Sequence, residues 1–454
     1  MEDITMRKIF QYIMLAVVTI VMASCTSDIE ETTATTDKSN VQLVVGEFPA
    51  FGDSQTRTIG TPDPGKTSWA VGDELLLVID NTSYGSHSAT FTYNGKSWEL
   101  TSGELVYREG DPAYIPHVYY APNYKWANTS LMLKKGKAAG TDEYIEGTAR
   151  ITGNGETITV SFAEATRKYS RLRIATLPNE QITVDTEYFT PAGSSDMEQE
   201  GNYTLTSDEK GNAYLYGTFE NNSEVTVKYR EAALTTYTFS QATESAKSYA
   251  LDATVISANS AEEIKTAIEQ KVADGKTTIR LNLAPNAGTN EFMAIREAIK
   301  GAAPNDLGTI ELTFIGVETI PEEAFYKMLQ LKSVRMSDVK EIKKYAFKEC
   351  QYLTVVEAPS LNKLCSGAFK KCDQLAKLTF GPINYADERN WPIFEYITPN
   401  IDLILSDYQK EMIETDSYLY TANNDRDYAG SDEHNSKYFL GREFRSITCR
   451  YKVK

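Results

Sequence analysis

Two patterns of hydrophobic and polar residues divide the chain into two halves. Between residues 41 and 251, short alternating or β-branched runs are separated by turn residues, which is typical of antiparallel strands. Between residues 310 and 380, apolar residues recur at a fixed longer spacing. The first half is therefore predicted to be all-β, and the second half is predicted to be a repeat array.

The predicted strands of the first half are bounded by turn sequences. The clearest is Asn94-Gly95, which predicts a hairpin between residues 91–93 and 97–100 with an aromatic pair facing across the strands. Further predicted strands share the same short apolar pattern and lie at residues 41–45, 75–80, 89–93, 157–162 and 224–229. Many short strands with regular turn signals favour β-sandwich domains.

The repeat is visible as an Ala-Phe pair that returns every 22 residues, at positions 324–325, 346–347 and 368–369. Other apolar positions keep this spacing, namely Ile320, Ile342 and Leu364, and Leu312, Val334, Val356 and Leu378. A unit this short cannot bury its own apolar face, so neighbouring units must stack around a shared core. About three full units are predicted from this pattern.

Both ends of the array are predicted to be capped. Ser260 and Glu263 form a capping box for a helix that ends at Gly275, and a second helix is predicted around Phe292. The apolar face of the first helix comprises Ile264, Ala267, Ile268 and Val272, and that of the second comprises Phe292, Ile295 and Ile299. Predicted strands lie at 278–283, 310–314, 401–405 and within 439–447, and residues 408–437 are predicted to form a polar loop.

The N-terminal residues are typical of a secretory leader. Arg7 and Lys8 precede an apolar run, residues 9–23, that is too short to span a bilayer comfortably. This run ends in Val-Met-Ala-Ser-Cys, which resembles the lipobox of bacterial lipoproteins, although Met22 stands where leucine is usual. The resemblance implies lipidation of Cys25. An ordinary signal peptide, or a transmembrane helix with an incidental cysteine, is the alternative.

Residues 26–40 are rich in Thr, Ser, Asp and Glu, so they are predicted to form a flexible tether. Within them, residues 27–31 (Ser-Asp-Ile-Glu-Glu) resemble the acidic export signal of surface lipoproteins from Gram-negative anaerobes. A solvated linker without that role is the alternative. Together with Cys25, this segment predicts an outer-membrane protein that is lipid-anchored and exposed at the cell surface.

Four short motifs of the first half resemble the fimbrillin-like lipoproteins. They are Thr-Arg-Thr at 56–58, Ser-Trp-Ala-Val-Gly-Asp at 68–73, Ala-Thr-Phe-Thr-Tyr at 89–93 with Trp98, and Tyr-Tyr-Ala-Pro at 119–122. The resemblance implies two β-sandwich domains. In fimbrial members of this family, cleavage after an arginine releases the first strand and opens a groove for a neighbouring subunit. Arg57 is the matching position, with an ordinary loop residue as the alternative.

The repeats resemble a different family. Residues 342–353 match the register I-x-x-x-A-F-x-x-C-x-x-L of BspA-like leucine-rich repeats at every fixed position. This resemblance covers about residues 310–380, and it implies a non-enzymatic adhesion protein. The implied partner is a host or bacterial surface protein or glycan.

Charge and residue chemistry narrow the function further. The chain has 46 Lys and Arg against 63 Asp and Glu, a net charge of −17, which disfavours nucleic acid as a partner and limits predicted membrane contact to the lipid anchor. The three histidines, His87, His117 and His434, lie in no recognisable nucleophile motif, and no phosphate-binding glycine loop is present. No catalytic residue and no cofactor is therefore predicted, although only the fold brings a glycosidase carboxylate pair together.

Cysteines and tyrosines are the remaining candidates. Cys350 and Cys372 occupy equivalent repeat positions near Cys365, but no C-x-x-C spacing supports a zinc site, so small buried thiols are favoured and a stacked disulfide is the alternative. Tyrosine occurs 28 times. One cluster of aromatic residues is a candidate binding face for protein or glycan, and packing within a sheet is the alternative. The cluster comprises Tyr114, Tyr119, Tyr120, Tyr124 and Trp126.

The sequence thus predicts a multidomain protein, an all-β fimbrillin-like sandwich followed by an α+β leucine-rich repeat solenoid. The predicted parts are a signal peptide (1–24), a tether (25–40), two β-sandwich domains (41–170 and 171–256), an N-terminal cap (257–309), repeats (310–380) and a C-terminal cap (381–454). The predicted function is non-enzymatic binding or adhesion through the repeats, without a metal. A fimbrial accessory or tip subunit and a glycan-capturing envelope lipoprotein are the alternatives.

Overall fold

The computed structural model describes residues 31–32, 42–53, 65–81, 85–104, 115–127, 130–152, 157–162, 167–258, 260–387, 393–406, 438–440 and 442–451. These residues form three eight-stranded sheets, one four-stranded sheet and two short two-stranded sheets. Neither helix in this part of the chain is long and apolar enough to cross a membrane. The predominance of strands confirms the predicted β-rich, multidomain class.

The first eleven strands are β1 (Glu31–Thr32), β2 (Gln42–Val45), β3 (Gly52–Asp53), β4 (Glu74–Asn81), β5 (Gly85–Tyr93), β6 (Trp98–Gly103), β7 (Ile115–Tyr120), β8 (Tyr124–Ala127), β9 (Ser130–Leu133), β10 (Ile145–Thr152) and β11 (Thr157–Ser161). The first sheet has the order β1-β2-β11-β10-β7-β4-β5-β6, and β8 pairs with β9 as a separate hairpin. Alternate residues of these strands, including Leu75, Leu77, Phe91 and Val118, are buried in one core. The period-two pattern therefore placed the apolar face correctly.

Two details of this sheet bear on the predictions. The hairpin at Asn94-Gly95 is confirmed, because Tyr93 lies opposite Trp98 and their ring centroids are 5.2 Å apart. Strand β1 falls inside the predicted tether and pairs with Leu43 and Val44. The backbone groups at the edge of β2 give these two residues hydrogen-bonding partners, which the polar composition did not reveal.

The second sheet adds β12 (Ser170–Ala175), β13 (Gln181–Pro191), β14 (Glu198–Thr206), β15 (Asn212–Phe219), β16 (Glu224–Tyr229), β17 (Ala232–Thr238) and β18 (Lys247–Asp252). Its order is β17-β16-β13-β15-β12-β18-β3, with β14 also paired to β13. Strand β13 pairs with β14 and β16 along its first residues and with β15 at its end. Strand β3 pairs in parallel with β18, so residues 52–53 belong to the second sheet, although they were predicted within the first domain.

A buried arginine joins the two sheets. Arg167 is fully buried, and its guanidinium donates to Oε2 of Glu143 (2.6 Å) and twice to the carbonyl of Pro49 (2.9 and 2.7 Å). The guanidinium also stacks on the ring of Phe51, 3.8 Å from its centroid. Burial raises the pKa of Glu143, although the charge of Arg167 opposes this shift. The segment before Arg57 is therefore clamped between the sheets.

The second half contains β19 (Ile256–Ser257), α1 (Ala261–Ala273), β20 (Thr278–Asn282), α2 (Thr289–Ala302), β21 (Ile310–Ile315), β22 (Thr319–Ile320), β23 (Leu331–Met336), β24 (Glu341–Ile342), β25 (Val355–Ala358), β26 (Lys363–Cys365), β27 (Lys377–Phe380), β28 (Tyr385–Asp387), β29 (Asp402–Ser406), β30 (Tyr438–Phe439), β31 (Arg442–Glu443) and β32 (Ser446–Tyr451). The third large sheet is parallel and runs β19-β20-β21-β23-β25-β27-β29-β32. Strands β22, β24, β26 and β28 form the four-stranded sheet, also in parallel. The chain therefore coils, and successive coils stack.

Both predicted cap helices are confirmed. Ser260 caps α1 by accepting from the backbone N–H of Glu263 (3.3 Å), and Gly275 after the helix adopts a left-handed φ of 73°. Helix α2 buries its predicted apolar face, Phe292, Ile295 and Ile299. These helices cover the first coil.

A column of phenylalanines forms the centre of the stack. The rings of Phe325, Phe347 and Phe369 lie nearly parallel, with centroids 5.2 and 5.4 Å apart. Phe394 continues the column 5.8 Å beyond Phe369, although it comes 25 residues later in the chain. Phe292 and Phe444 meet the two ends edge-on, at 77° and 88°. The stack therefore extends beyond the three predicted units.

The second sheet and the repeat half share a packed interface. Ile315 of β21 is buried with the core residues of the second sheet. Arg280 of β20 donates to the carbonyl of Leu234 (2.5 Å) and lies 3.9 Å from the carboxylate of Asp252. These contacts cross the boundary predicted near residue 257. The sequence did not reveal them, because nothing in the local pattern marked Arg280 as a buried residue.

Candidate functional site

The Ala-Phe turns of the stacked coils line one long side of the repeat array. Their backbones form a ladder along the stack. The N–H of Phe347 donates to the carbonyl of Ala368 (2.9 Å), and the N–H of Glu349 donates to that of Lys370 (2.8 Å). The next coil repeats this pattern, because Phe369 donates to Ile393 (3.1 Å). Every second turn residue thus points its N–H at the following coil.

This ladder requires left-handed backbone at fixed positions. One such position recurs at Glu323, Tyr345 and Gly367, with φ between 55° and 65°. The other recurs at Lys327, Glu349, Lys371 and Tyr396, with φ between 56° and 62°. Glycine is the residue that adopts this conformation without steric cost, whereas another residue type costs roughly 1–2 kcal/mol there. Only Gly367 follows that preference among these residues.

The side chains at these turns form a continuous surface, which we call the turn ridge: Tyr326, Lys327, Tyr345, Lys348, Lys371 and Tyr396. Lys348 places its ammonium between two rings, 5.0 Å from the centroid of Tyr326 and 4.7 Å from that of Tyr345. Contacts of this kind are worth roughly 0.5–1 kcal/mol at exposed sites. Tyr396 is 62% exposed, compared with 42% for Tyr188 and Tyr237.

Positive charge is concentrated on the turn ridge. The carboxylate of Glu349 is shared by three ammonium groups, those of Lys327 (3.6 Å), Lys348 (3.9 Å) and Lys371 (4.0 Å). A hydrogen bond with Tyr326 and the charge of Glu349 raise the pKa of Lys327. Burial, followed by the like charges of Arg296 and Lys327, lowers the pKa of Lys300 on the adjacent α2. The part of the ridge around Glu349 therefore carries more ammonium groups than carboxylates, although the protein as a whole is acidic.

The sheet faces of the same stack are electrostatically different. On the large parallel sheet, Lys332 pairs with Glu311 (2.8 Å), and Arg335 and Lys377 both pair with Glu357 (3.1 and 3.5 Å). Residues of opposite charge thus follow one another from coil to coil. On this face three cations share two carboxylates, whereas on the ridge three ammonium groups share the single carboxylate of Glu349, so the excess of cations is smaller on the sheet face.

The residues singled out from the sequence fall in several places. Cys25, Arg57, Tyr114 and His434 lie outside the described residues, so their roles stay predictions. His87 and His117 are both exposed on the first β-sheet. Among the residues that the structure describes, no group of three or more His, Cys, Asp or Glu is placed to hold a metal ion.

The repeat cysteines are buried free thiols, as favoured from the sequence. Cys350 donates to the carbonyl of Phe325 and Cys372 to that of Phe347, each at 3.0 Å, so each thiol bonds to the preceding coil. Burial raises the pKa of Cys350 to about 12. Cys365 is half-buried, with its sulfur 3.8 Å from Glu341. The alternative, a disulfide between Cys350 and Cys372, is not formed.

The aromatic cluster of the first half is partly a surface and partly a core. Tyr120 is buried in the first core, and the hydroxyl of buried Tyr124 donates to the carbonyl of Ala192 (3.2 Å). Tyr119 and Trp126 are half-buried and border a cavity of about 500 Å³. Sheet packing therefore explains Tyr120, whereas Tyr119 and Trp126 face open space.

Sequence reasoning missed the turn ridge. Its residues lie between the conspicuous apolar positions, and the repeat period did not distinguish one polar position from another. Gly367 was the available signal, because a glycine at one coil marks a left-handed position that its neighbours 22 residues away, Tyr345 and Glu323, must share. Arg167 carried no comparable signal.

Residues 306–410 match the BspA type leucine-rich repeat region in six copies. The match begins before and ends after the predicted range of 310–380, in agreement with the continuation of the phenylalanine column to Phe394. No curated protein and no solved structure shows significant similarity to the chain. The fimbrillin-like resemblance of the first half finds no support in these comparisons. Residues 306–410 are thus similar to BspA-type leucine-rich repeats, and this match does not extend into the first half of the chain.

Proposed function

We propose that this protein is a surface lipoprotein that binds a macromolecular partner on the turn ridge of its repeat array, without catalysis. The observation that carries this proposal is the occupation of exposed left-handed positions by Lys327, Lys371 and Tyr396. Leucine-rich repeats of this type are consistent with a binding role at cell surfaces.

The conformational cost is the first step of the argument. Glycine at these positions would relieve roughly 1–2 kcal/mol of strain per residue. The side chains of Lys327 and Lys371 are 57% and 48% exposed and contribute no core packing. Exposed residues other than glycine that are held in a strained backbone conformation lower the stability of the fold. Such residues are expected where their side chains serve binding.

The chemistry of the ridge indicates the partner. Three ammonium groups around Glu349 attract a negatively charged surface, and the adjoining tyrosine rings give contact area at low entropic cost. We therefore propose a protein partner with an acidic face, on a host or bacterial surface. An acidic glycan is the alternative that the experiment distinguishes.

The binding experiment uses a variant that spares the fold. Lys327→Gly, Lys371→Gly and Tyr396→Gly combined remove the ridge side chains while placing glycine where the backbone favours it, so thermal stability should be unchanged or raised. Purified wild-type protein is first screened on protein and glycan arrays. The triple variant should bind the selected protein at least tenfold more weakly, and the Lys332→Ala, Lys377→Ala control on the sheet face should bind normally. Equal binding by the ridge variant would contradict the proposal.

Anchoring is proposed to depend on Cys25, at the end of the leader. Cys25→Ala should release the protein from the membrane fraction, because the proposed anchor is covalent lipid. Fractionation with detergent measures this release. If the variant partitions into detergent like the wild type, the lipobox interpretation is wrong.

A fimbrial subunit is the second candidate function, and the position of the N-terminal segment favours it. Strands β2 and β3 precede Arg57 and pair with β11 and β18, and Phe48 and Phe51 of the same segment are buried. Cleavage after Arg57 would disconnect these elements from the following chain and, on their release, open edges in both sheets to a neighbour's strand. Treatment with an arginine-specific protease should then produce heat-resistant ladders that Arg57→Ala abolishes. A monomer band alone after complete cleavage would refute this candidate.

A further inference from the structure

The first β-sheet carries a groove on the face opposite its core. The groove has a volume of about 500 Å³ and lies between the sheet and the β8–β9 hairpin. Leu76, Ser88 and Thr90 form its floor, and Tyr119 and Trp126 border it. This volume is within the range of roughly 300–1,000 Å³ that small-molecule sites occupy.

The strands that form the floor of the groove are paired on both sides, so only their side chains are available to a ligand. Strand β4 is hydrogen-bonded to β5 and β7, and β5 is hydrogen-bonded to β4 and β6. An extended peptide therefore finds no unpaired backbone on the floor to extend the sheet. Recognition in this groove must come from the aromatic and polar side chains.

Tyr119 on the wall of the groove and Tyr124 beside it both pack against the ring of Tyr144. Tyr119 lies 6.3 Å from Tyr144, and Tyr124, at the base of the hairpin, lies 5.2 Å from Tyr144. The hydroxyl of Tyr124 is fixed on the carbonyl of Ala192, in the second sheet module. Fixed aromatic faces are suited to the C–H faces of pyranose rings, because they bury apolar area without loss of side-chain freedom on binding.

Most charges at the groove are already compensated. Asp73 is paired with Lys66 and accepts from Tyr120 (3.1 Å), and Glu74 lies 3.6 Å from Lys134. Lys125 also lines the groove, so the lining carries two ammonium groups and three carboxylates, and this mixture of signs favours a neutral ligand over one with strong net charge. Asp142 also lines the groove, where its Oδ1 accepts from the N–H of Glu143 (2.8 Å) and burial raises its pKa. Its carboxyl group, with the hydroxyls of Ser88, Thr90 and Ser102, offers partners for sugar hydroxyls.

From this combination we propose that the groove binds a short neutral oligosaccharide, with Trp126 and Tyr119 stacking on the sugar and Asp142 accepting from its hydroxyls. This site lies on the first sheet and is separate from the turn ridge. The protein would then hold a glycan with one half and a macromolecule with the other.

The test uses purified full-length protein on an array of neutral and anionic oligosaccharides, followed by calorimetric titration of the best neutral ligand. Trp126→Ala should lower affinity at least tenfold, and Asp142→Asn should lower it severalfold. Tyr237→Ala, which removes an aromatic side chain that is 42% exposed on the second sheet, is the matched control and should bind like the wild type. Unchanged unfolding midpoints would establish that the variants are folded.

A second groove variant keeps the test decisive if the hairpin variant is unstable. Thr90→Phe places a ring on the floor of the groove, at a position in β5, and strands accommodate aromatic residues well. The ring should fill the groove and abolish binding. The triple glycine variant of the turn ridge should bind the neutral sugar normally. The proposal is overturned if no neutral oligosaccharide binds, if Trp126→Ala and Thr90→Phe both bind normally, or if only anionic glycans bind.

Discussion

Removal of one ring from the phenylalanine column tests the stacked architecture most severely. Phe347 is fully buried in the middle of the array. Its ring stacks at 5.2 Å on Phe325 and at 5.4 Å on Phe369, with interplanar angles of 17° and 4°. Its N–H also belongs to the backbone ladder of the turn side. Phe347→Ala therefore leaves a cavity that neither neighbouring coil can easily fill.

The expected loss follows from the burial. Replacement of a fully buried phenylalanine by alanine costs about 3–5 kcal/mol. Phe347→Leu is the matched variant, because it keeps most of the volume and removes the aromatic stacking. Nearly volume-conserving substitutions usually cost less than about 1.5 kcal/mol, so the leucine variant should lose much less free energy of unfolding than the alanine variant.

Urea unfolding followed by circular dichroism measures both losses, and amide hydrogen exchange locates them. Because each coil contacts only its neighbours, protection should fall first in the coils around residues 325–369. The first β-sheet should keep its protection. A loss of less than about 1 kcal/mol for Phe347→Ala would refute the central column, since it lies far below the typical cost of removing a buried phenylalanine.

Three further predictions concern buried polar groups. Arg167→Ala should cost about 3–5 kcal/mol in denaturant unfolding, because Glu143 and the carbonyl of Pro49 lose their buried partner; a loss below about 1 kcal/mol would contradict the clamp. Cys350 should resist alkylation at pH 8 in the native state and react in urea, as mass spectrometry of labelled peptides will show, because burial raises its pKa to about 12. Although burial opposes the shift, hydrogen bonds from Thr254 and nearby cationic charges lower the pKa of Asp252. The stability from Asp252 is present above its unfolded pKa of about 3.9 and is lost as pH falls through the lower folded value. Asp252→Asn should therefore reduce the fall in unfolding midpoint below about pH 4. An unchanged fall in this pH range would argue against these contacts of the Asp252 carboxylate.

The sequence predicted what depends on periodicity. The spacing of 22 residues identified Phe325, Phe347 and Phe369 as equivalent, and the structure stacks their rings. Phe394 escaped prediction because the step from Phe369 is 25 residues and isoleucine replaces the preceding alanine. A strict period finds the regular coils and fails where the chain inserts residues between them.

Long-range contacts of polar residues were beyond sequence reasoning. An arginine such as Arg167 has the same local appearance whether it is buried or solvated, and only the fold brings Pro49 to it, 118 residues away. The pairing of β3 with β18 is hidden for the same reason, since a two-residue strand has no hydrophobic pattern. The turn ridge and the groove likewise depend on residues that are distant along the chain.

The central claim is that the partner contacts the turn ridge, and site-specific photocrosslinking tests it most directly. The photoreactive amino acid p-benzoylphenylalanine replaces Tyr396 on the ridge in one sample and Lys377 on the sheet face in another, and both proteins are irradiated with the protein partner found on the array. The account predicts a covalent adduct from position 396 and none from position 377. Crosslinking from position 377 alone would contradict it.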